Sequence, residues 1–115
     1  MRFFSRLMVL IFSLTSFIPS LCEALETIAY AHIDMNGKVI NGSQGIQCEW
    51  DKNHERYRIT IPGVNYHFAS YLTFVTPVDP HIVSASSVEG KLLIELMNIK
   101  GEKVKSMFQF ITFKK

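Results

Sequence analysis

Ile46-Gln47-Cys48-Glu49-Trp50-Asp51 and, after a short polar break, Arg56-Tyr57-Arg58-Ile59-Thr60-Ile61 decide the fold class of this chain. In both stretches apolar and polar residues alternate. A period of two is that of a β-strand with one face buried and one face wet. An amphipathic helix would instead repeat its apolar residues three and four apart. The first stretch places Ile46, Cys48 and Trp50 inward and Gln47, Glu49 and Asp51 outward. The second places Tyr57, Ile59 and Ile61 inward.

The same reading extends in both directions. Leu72-Thr73-Phe74-Val75-Thr76 is rich in β-branched and aromatic residues. Leu92, Ile94 and Leu96 mark one strand face, and Phe108, Phe110 and Thr112 another. Asn36-Gly37, Asn41-Gly42, Pro62-Gly63, Glu89-Gly90 and Lys100-Gly101 supply turn residues tolerant of positive φ. No stretch carries apolar residues at helical spacing for three turns. Strands are expected at about 26–34, 38–41, 45–51, 56–61, 71–77, 81–88, 91–99 and 104–114. The fold class is therefore all-β, an antiparallel β-sandwich of seven or eight short strands after an N-terminal signal helix. Trp50, Tyr57, Phe74, Phe108 and Phe110 are the expected centre of the core.

Residues 1–24 read differently. Arg2 and Arg6 form a positive start, and Leu7 to Ile18 is an uncharged apolar run ended by Pro19 and Ser20. As a helix that run spans only about 18 Å, well short of a ~30 Å hydrocarbon core. A cleaved signal peptide is expected over 1–24, with the cut after Ala24 and no permanent membrane span in the product. The product is then secreted or periplasmic, a single domain over 25–115. Cleavage removes Arg2, Arg6 and Glu23 and leaves ten basic against nine acidic side chains. So small an excess gives no electrostatic footprint for nucleic acid. It also removes Cys22, so Cys48 has no disulfide partner and is expected as a buried, inert thiol.

Three further segments carry a resemblance. They are Tyr30-Ala31-His32-Ile33-Asp34 with Asn36-Gly37-Lys38-Val39-Ile40-Asn41-Gly42, then Glu55-Arg56-Tyr57-Arg58-Ile59-Thr60, then Ser106-Met107-Phe108-Gln109-Phe110-Ile111. The chain resembles a small β-domain of bacterial secreted proteins of unknown function and of phage tail-fibre-like proteins. The likeness covers nearly all of residues 28–113. The chain departs from it at Glu55, where the pattern more often has glycine, and at Lys105 and Ser106, where the pattern carries an acid. The resemblance implies a compact sandwich used for binding or assembly, with no catalytic residues to transfer.

Sequence signals for chemistry are sparse. His32, His54, His67 and His81 fall in no metal-ligand spacing, and no metal or other cofactor is expected. Asp34-Met35-Asn36-Gly37 has its glycine in the wrong place for a calcium loop and reads as a hairpin turn. Asn41-Gly42-Ser43 fits a glycosylation sequon and is also read as a hairpin. No Gly-x-Ser-x-Gly elbow is present, so no enzymatic role is expected.

Two surface hypotheses remain. Tyr30, Tyr66, His67 and Tyr71 could stack on a sugar; Tyr66, His67 and Tyr71 lie in or beside the longest connection, and loops often carry function. Separately, the last two strands have apolar residues on both faces. Leu93 and Met97 oppose Leu92, Ile94 and Leu96, while Met107, Ile111 and Phe113 oppose Phe108 and Phe110. Such strands need cover on both sides, which predicts self-association through them as a homo-oligomer, the chief alternative being a loop folded over that sheet. The expected function is an exported, non-catalytic binding or assembly module for an unknown protein or glycan. A periplasmic carbohydrate-binding domain is the first alternative and a small secreted hydrolase the second.

Overall fold

The computed structural model describes residues 25–115, so the expected signal segment over 1–24 and the expected cut after Ala24 lie outside the described residues. Eight strands follow one another: β1 (Glu26–Ile33), β2 (Val39–Gly42), β3 (Gln47–Asp51), β4 (Arg56–Thr60), β5 (Tyr71–Pro77), β6 (Ile82–Val88), β7 (Lys91–Met97) and β8 (Phe108–Lys114). They form two four-stranded antiparallel sheets, ordered β2-β1-β8-β5 and β3-β4-β7-β6. The expected strand class and strand positions hold, although the last strand starts at Phe108 because residues 104–107 serve as part of a crossing between sheets.

Hairpins join β1 to β2, β3 to β4 and β6 to β7, each within one sheet. The other four connections cross from sheet to sheet. With β5 and β6 adjoining at the corner where the chain crosses, β4-β7-β6-β5 has the order of a Greek key. The Asn36-Gly37 hairpin is built by Asp34, whose carboxylate accepts the Asn36 and Lys38 N–H groups at 2.9 and 2.8 Å. Gly37 takes φ +89° there. Asn41-Gly42 is not a hairpin: it ends β2 and begins a crossing to β3. A Cβ at Gly42 would come within 2.5 Å of the Tyr30 carbonyl oxygen and 2.7 Å of Ala31. Glu55, where the resembled pattern has glycine, takes φ +52°, the left-handed conformation that glycine adopts without steric cost.

The two inner faces meet in one core. Ala29, Ala31, Ile33, Phe108 and Phe110 contribute from the first sheet, and Tyr57, Ile59, Leu92, Ile94 and Leu96 from the second. The Tyr57 ring crosses the gap to Phe108, with centroids 5.0 Å apart. Burial of such side chains supplies the main driving force for folding. Two of the five expected core aromatics sit elsewhere. Trp50 is half-buried, because β3 is an edge strand; its ring meets the edge of Tyr57 and lies 5.2 Å beneath the Lys105 ammonium. Phe74 is 55 % exposed, because β5 turns Thr73 and Val75 inward and Phe74 outward.

Asp51 also departs from the alternation, being only 7 % exposed although it lies on the outward face. His54 Nδ1 stands 2.9 Å from its carboxylate, Arg58 Nη2 3.1 Å and Arg56 Nε 3.4 Å. Three nitrogen-bearing side chains close over the acid and shield it from water.

Candidate functional site

Register decides what the outer face of the first sheet presents. Tyr30 pairs with Ile111, and Ile111 with Phe74. The three form a row across β1, β8 and β5 on the side away from the core. Two residues further along these strands, His32, Gln109 and Thr76 form a second row, and Asn41 extends it onto β2. Tyr30 and Phe74 are 51 and 55 % exposed. Phe113, half-buried, meets the edge of Phe74 with centroids 6.2 Å apart.

These rows line a depression of about 400 Å³ that includes Tyr30, His32, Asn41, Phe74, Gln109 and Ile111. Local structure holds its rim in place. The Tyr30 N–H donates to Ser43 Oγ at 2.9 Å, and the Ser43 N–H returns a bond to the Tyr30 carbonyl at 2.8 Å. The His32 Nε2 atom is shielded from solvent and has no hydrogen-bond partner. No acid, lysine or arginine lines this depression.

A second depression, about 440 Å³, lies by the β3 edge between Lys38, Glu49, Arg58, Thr60 and Lys91. It is charged, but Arg58 is already drawn to Asp51 and to Glu49, the latter at 3.5 Å. Among the described residues no three His, Cys, Asp or Glu side chains converge as a metal site.

The residues expected to stack on a ligand do not form one surface. Tyr66 is 3 % exposed and belongs to the core. Its N–H donates to the Gly90 carbonyl at 3.0 Å, and its hydroxyl meets Thr73 Oγ1, which in turn lies 2.8 Å from Thr112 Oγ1. Tyr71 is half-buried and stacks on Tyr66, with centroids 5.1 Å apart. Both rings therefore cap the sandwich. His67 is exposed and stacks on Phe68, itself 59 % exposed. Of the four aromatics considered, Tyr30 alone lines the depression, joined there by Phe74, which its β-branched setting had assigned to the core.

Nor do the residues expected to self-associate form one patch. β7 lies in the second sheet and β8 in the first. Leu93 and Met97 thus point away from one side of the sandwich, and Ile111 and Phe113 away from the other. Leu93 is only 2 % exposed, with Arg58 and Ser86 as its cross-strand neighbours. Met107 precedes β8, half-buried, its carbonyl accepting the Val78 N–H at 3.1 Å. The connection 61–70 caps the sandwich end instead of covering an outer face: Phe68 N–H donates to Ser87 Oγ, and the Lys115 N–H to the Ser70 carbonyl.

Comparison with protein-family models, with curated proteins and with solved structures finds no match for this chain.

Proposed function

We propose that this chain is an exported, non-catalytic binding module whose recognition surface is the outer face of the β2-β1-β8-β5 sheet. One observation carries the reading: Tyr30 and Phe74, each more than half exposed, flank an uncharged depression on a sheet face that no other element of the described fold covers. Large exposed apolar side chains gathered on one face mark interaction surfaces, whereas single scattered ones need no explanation. The resemblance to secreted and tail-fibre-like β-domains implies the same kind of use. Export follows from the charged, apolar, small-residue series of residues 1–24.

Two measurements test the proposal. N-terminal sequencing of the exported product is expected to begin at Leu25; retention of Met1 would overturn the export reading. The exported chain and its Phe74→Ala variant, immobilised side by side, are expected to differ in the protein and glycan they retain from an envelope fraction. Equal retention by the two would remove this face as the recognition surface.

A further inference from the structure

We propose that this face takes a neutral oligosaccharide, laid across the strands with its apolar ring faces on Tyr30 and Phe74. The proposal rests on reading the face as the recognition surface. Tyr30 and Phe74 stand on β1 and β5 with β8 between them. Two inter-strand steps separate them by roughly 9.6 Å, a span over which two aromatic rings can each support a different sugar unit of one chain. Ile111 fills the floor between them without rising as another ring.

The polar row completes the match. It runs parallel to the aromatic row and about 7 Å from it, two residues along each strand. Asn41, Gln109 and Thr76 each combine donor and acceptor capacity, and the His32 ring stands in the same row. A sugar hydroxyl has the same dual character.

Charge argues against other ligands. Nucleic acids, phosphates and acidic peptides are held by cations, and no cation lines this depression. The cations Lys38, Arg58 and Lys91 are gathered at the other depression, across the β3 edge. A second copy is a poor occupant as well. Two identical concave faces meet at their rims and leave the hollows between them unfilled. The volume, about 400 Å³, lies within the usual range of small-ligand clefts.

The test uses the exported, isotope-labelled chain, with maltohexaose, cellohexaose and chitohexaose as probes at millimolar concentration. At least one probe is expected to shift the amide resonances of His32, Gln109 and Ile111 saturably. Phe74→Ala and Tyr30→Ala are each expected to weaken that binding about tenfold, a change of about 1.4 kcal/mol. Phe68→Ala, at an exposed aromatic outside the depression, is expected to leave it unchanged. Absence of shifts with all three sugars overturns the ligand class. If envelope retention still depends on Phe74, the recognition surface itself survives that result. Concentration-dependent broadening of the same resonances without sugar assigns the face to a second copy and overturns the glycan.

Discussion

The Tyr57 phenolic oxygen lies 2.6 Å from the Met35 carbonyl oxygen, tying β4 of one sheet to the β1–β2 turn of the other. The same oxygen accepts the buried Ser106 N–H at 3.0 Å. One hydroxyl thus satisfies two backbone groups at places where the chain leaves its ladders. Tyr57→Phe keeps the ring against Phe108 but leaves the Ser106 N–H without that acceptor. An unsatisfied buried group costs about 1–3 kcal/mol. Urea unfolding is expected to show a loss of that size with an unchanged m-value, and a loss near zero would show that water replaces the hydroxyl.

Stability is expected to hold to about pH 9 and fall toward pH 12. Burial pushes the Cys48 thiol up to about 12, with the Glu49 and Asp34 carboxylates adding to it. Burial likewise pushes Tyr57 up to about 12, against the hydrogen bond from Ser106. Both groups are neutral in the folded chain and ionise earlier when unfolded, from 9.0 and 10.0. Rising pH in that window therefore favours the unfolded chain. A thiol pushed up to about 12 holds far less thiolate at neutral pH, so native Cys48 is expected to alkylate more slowly than the denatured thiol. Cys48 is half-buried and lines the second depression, not fully buried as its strand position suggests, so equal rates at pH 8 would show that this partial burial does not protect it.

Acid acts through Asp51. Burial raises its carboxyl pKa, but the hydrogen bond and charge of His54 together with Arg58 outweigh that and hold it below its usual 3.8. A depressed carboxylate stabilises the fold above the unfolded pKa, and that contribution fades as pH falls through the folded value. The native chain is expected to lose stability below about pH 4. Asp51→Asn is expected to be weaker at neutral pH, where Arg56 and Arg58 lose their anion, and to show a flatter acid limb. Parallel acid limbs in urea titrations from pH 2 to 7 would show that the acid does not act through Asp51.

The strands were legible because alternation is local: Cys48 and Trp50 against Glu49, or Tyr57 and Ile59 against Arg58, needs no partner to be seen. Sheet membership was not legible. The pairing of Glu26–Ile33 with Phe108–Lys114 spans nearly all of the described residues, and nothing in either segment names the other. Phe74 was misread for the same reason. Leu72-Thr73-Phe74-Val75 is apolar on both faces, and only its register with Ile111 shows that Phe74 looks outward. Tyr66 sits in a connection, and its hydroxyl meets Thr73, which in turn meets Thr112, 46 positions from Tyr66 in sequence. The depression draws on four strands far apart in the chain, three residues each from β1 and β8, two from β5 and one from β2, so no one contiguous motif could have announced it.

Leu93 and Ile111 make the clearest contrast between sheets. Both are apolar residues on outward faces, and on periodicity alone both belong to an exposed patch. Leu93 is nevertheless 2 % exposed. It stands opposite Arg58 on β4, whose side chain is drawn toward Asp51, 3.1 Å from Nη2. A long arginine side chain can cover apolar surface with its methylenes while its head group stays paired. Leu93→Ala is therefore expected to cost about 2–3 kcal/mol, like a core truncation. Ile111, half-buried between Tyr30 and Phe74, is expected to cost about 1 kcal/mol when cut to alanine. Arg58→Ala should weaken the fold and, in combination with Leu93→Ala, should cost less than the sum of the two, because neighbouring residues that cover one another couple. Urea unfolding of the three variants and the pair measures this. Strict additivity, or a Leu93 loss no larger than that of Ile111, would show that Arg58 does not close this face, and would return Leu93 and Met97 as a surface for self-association.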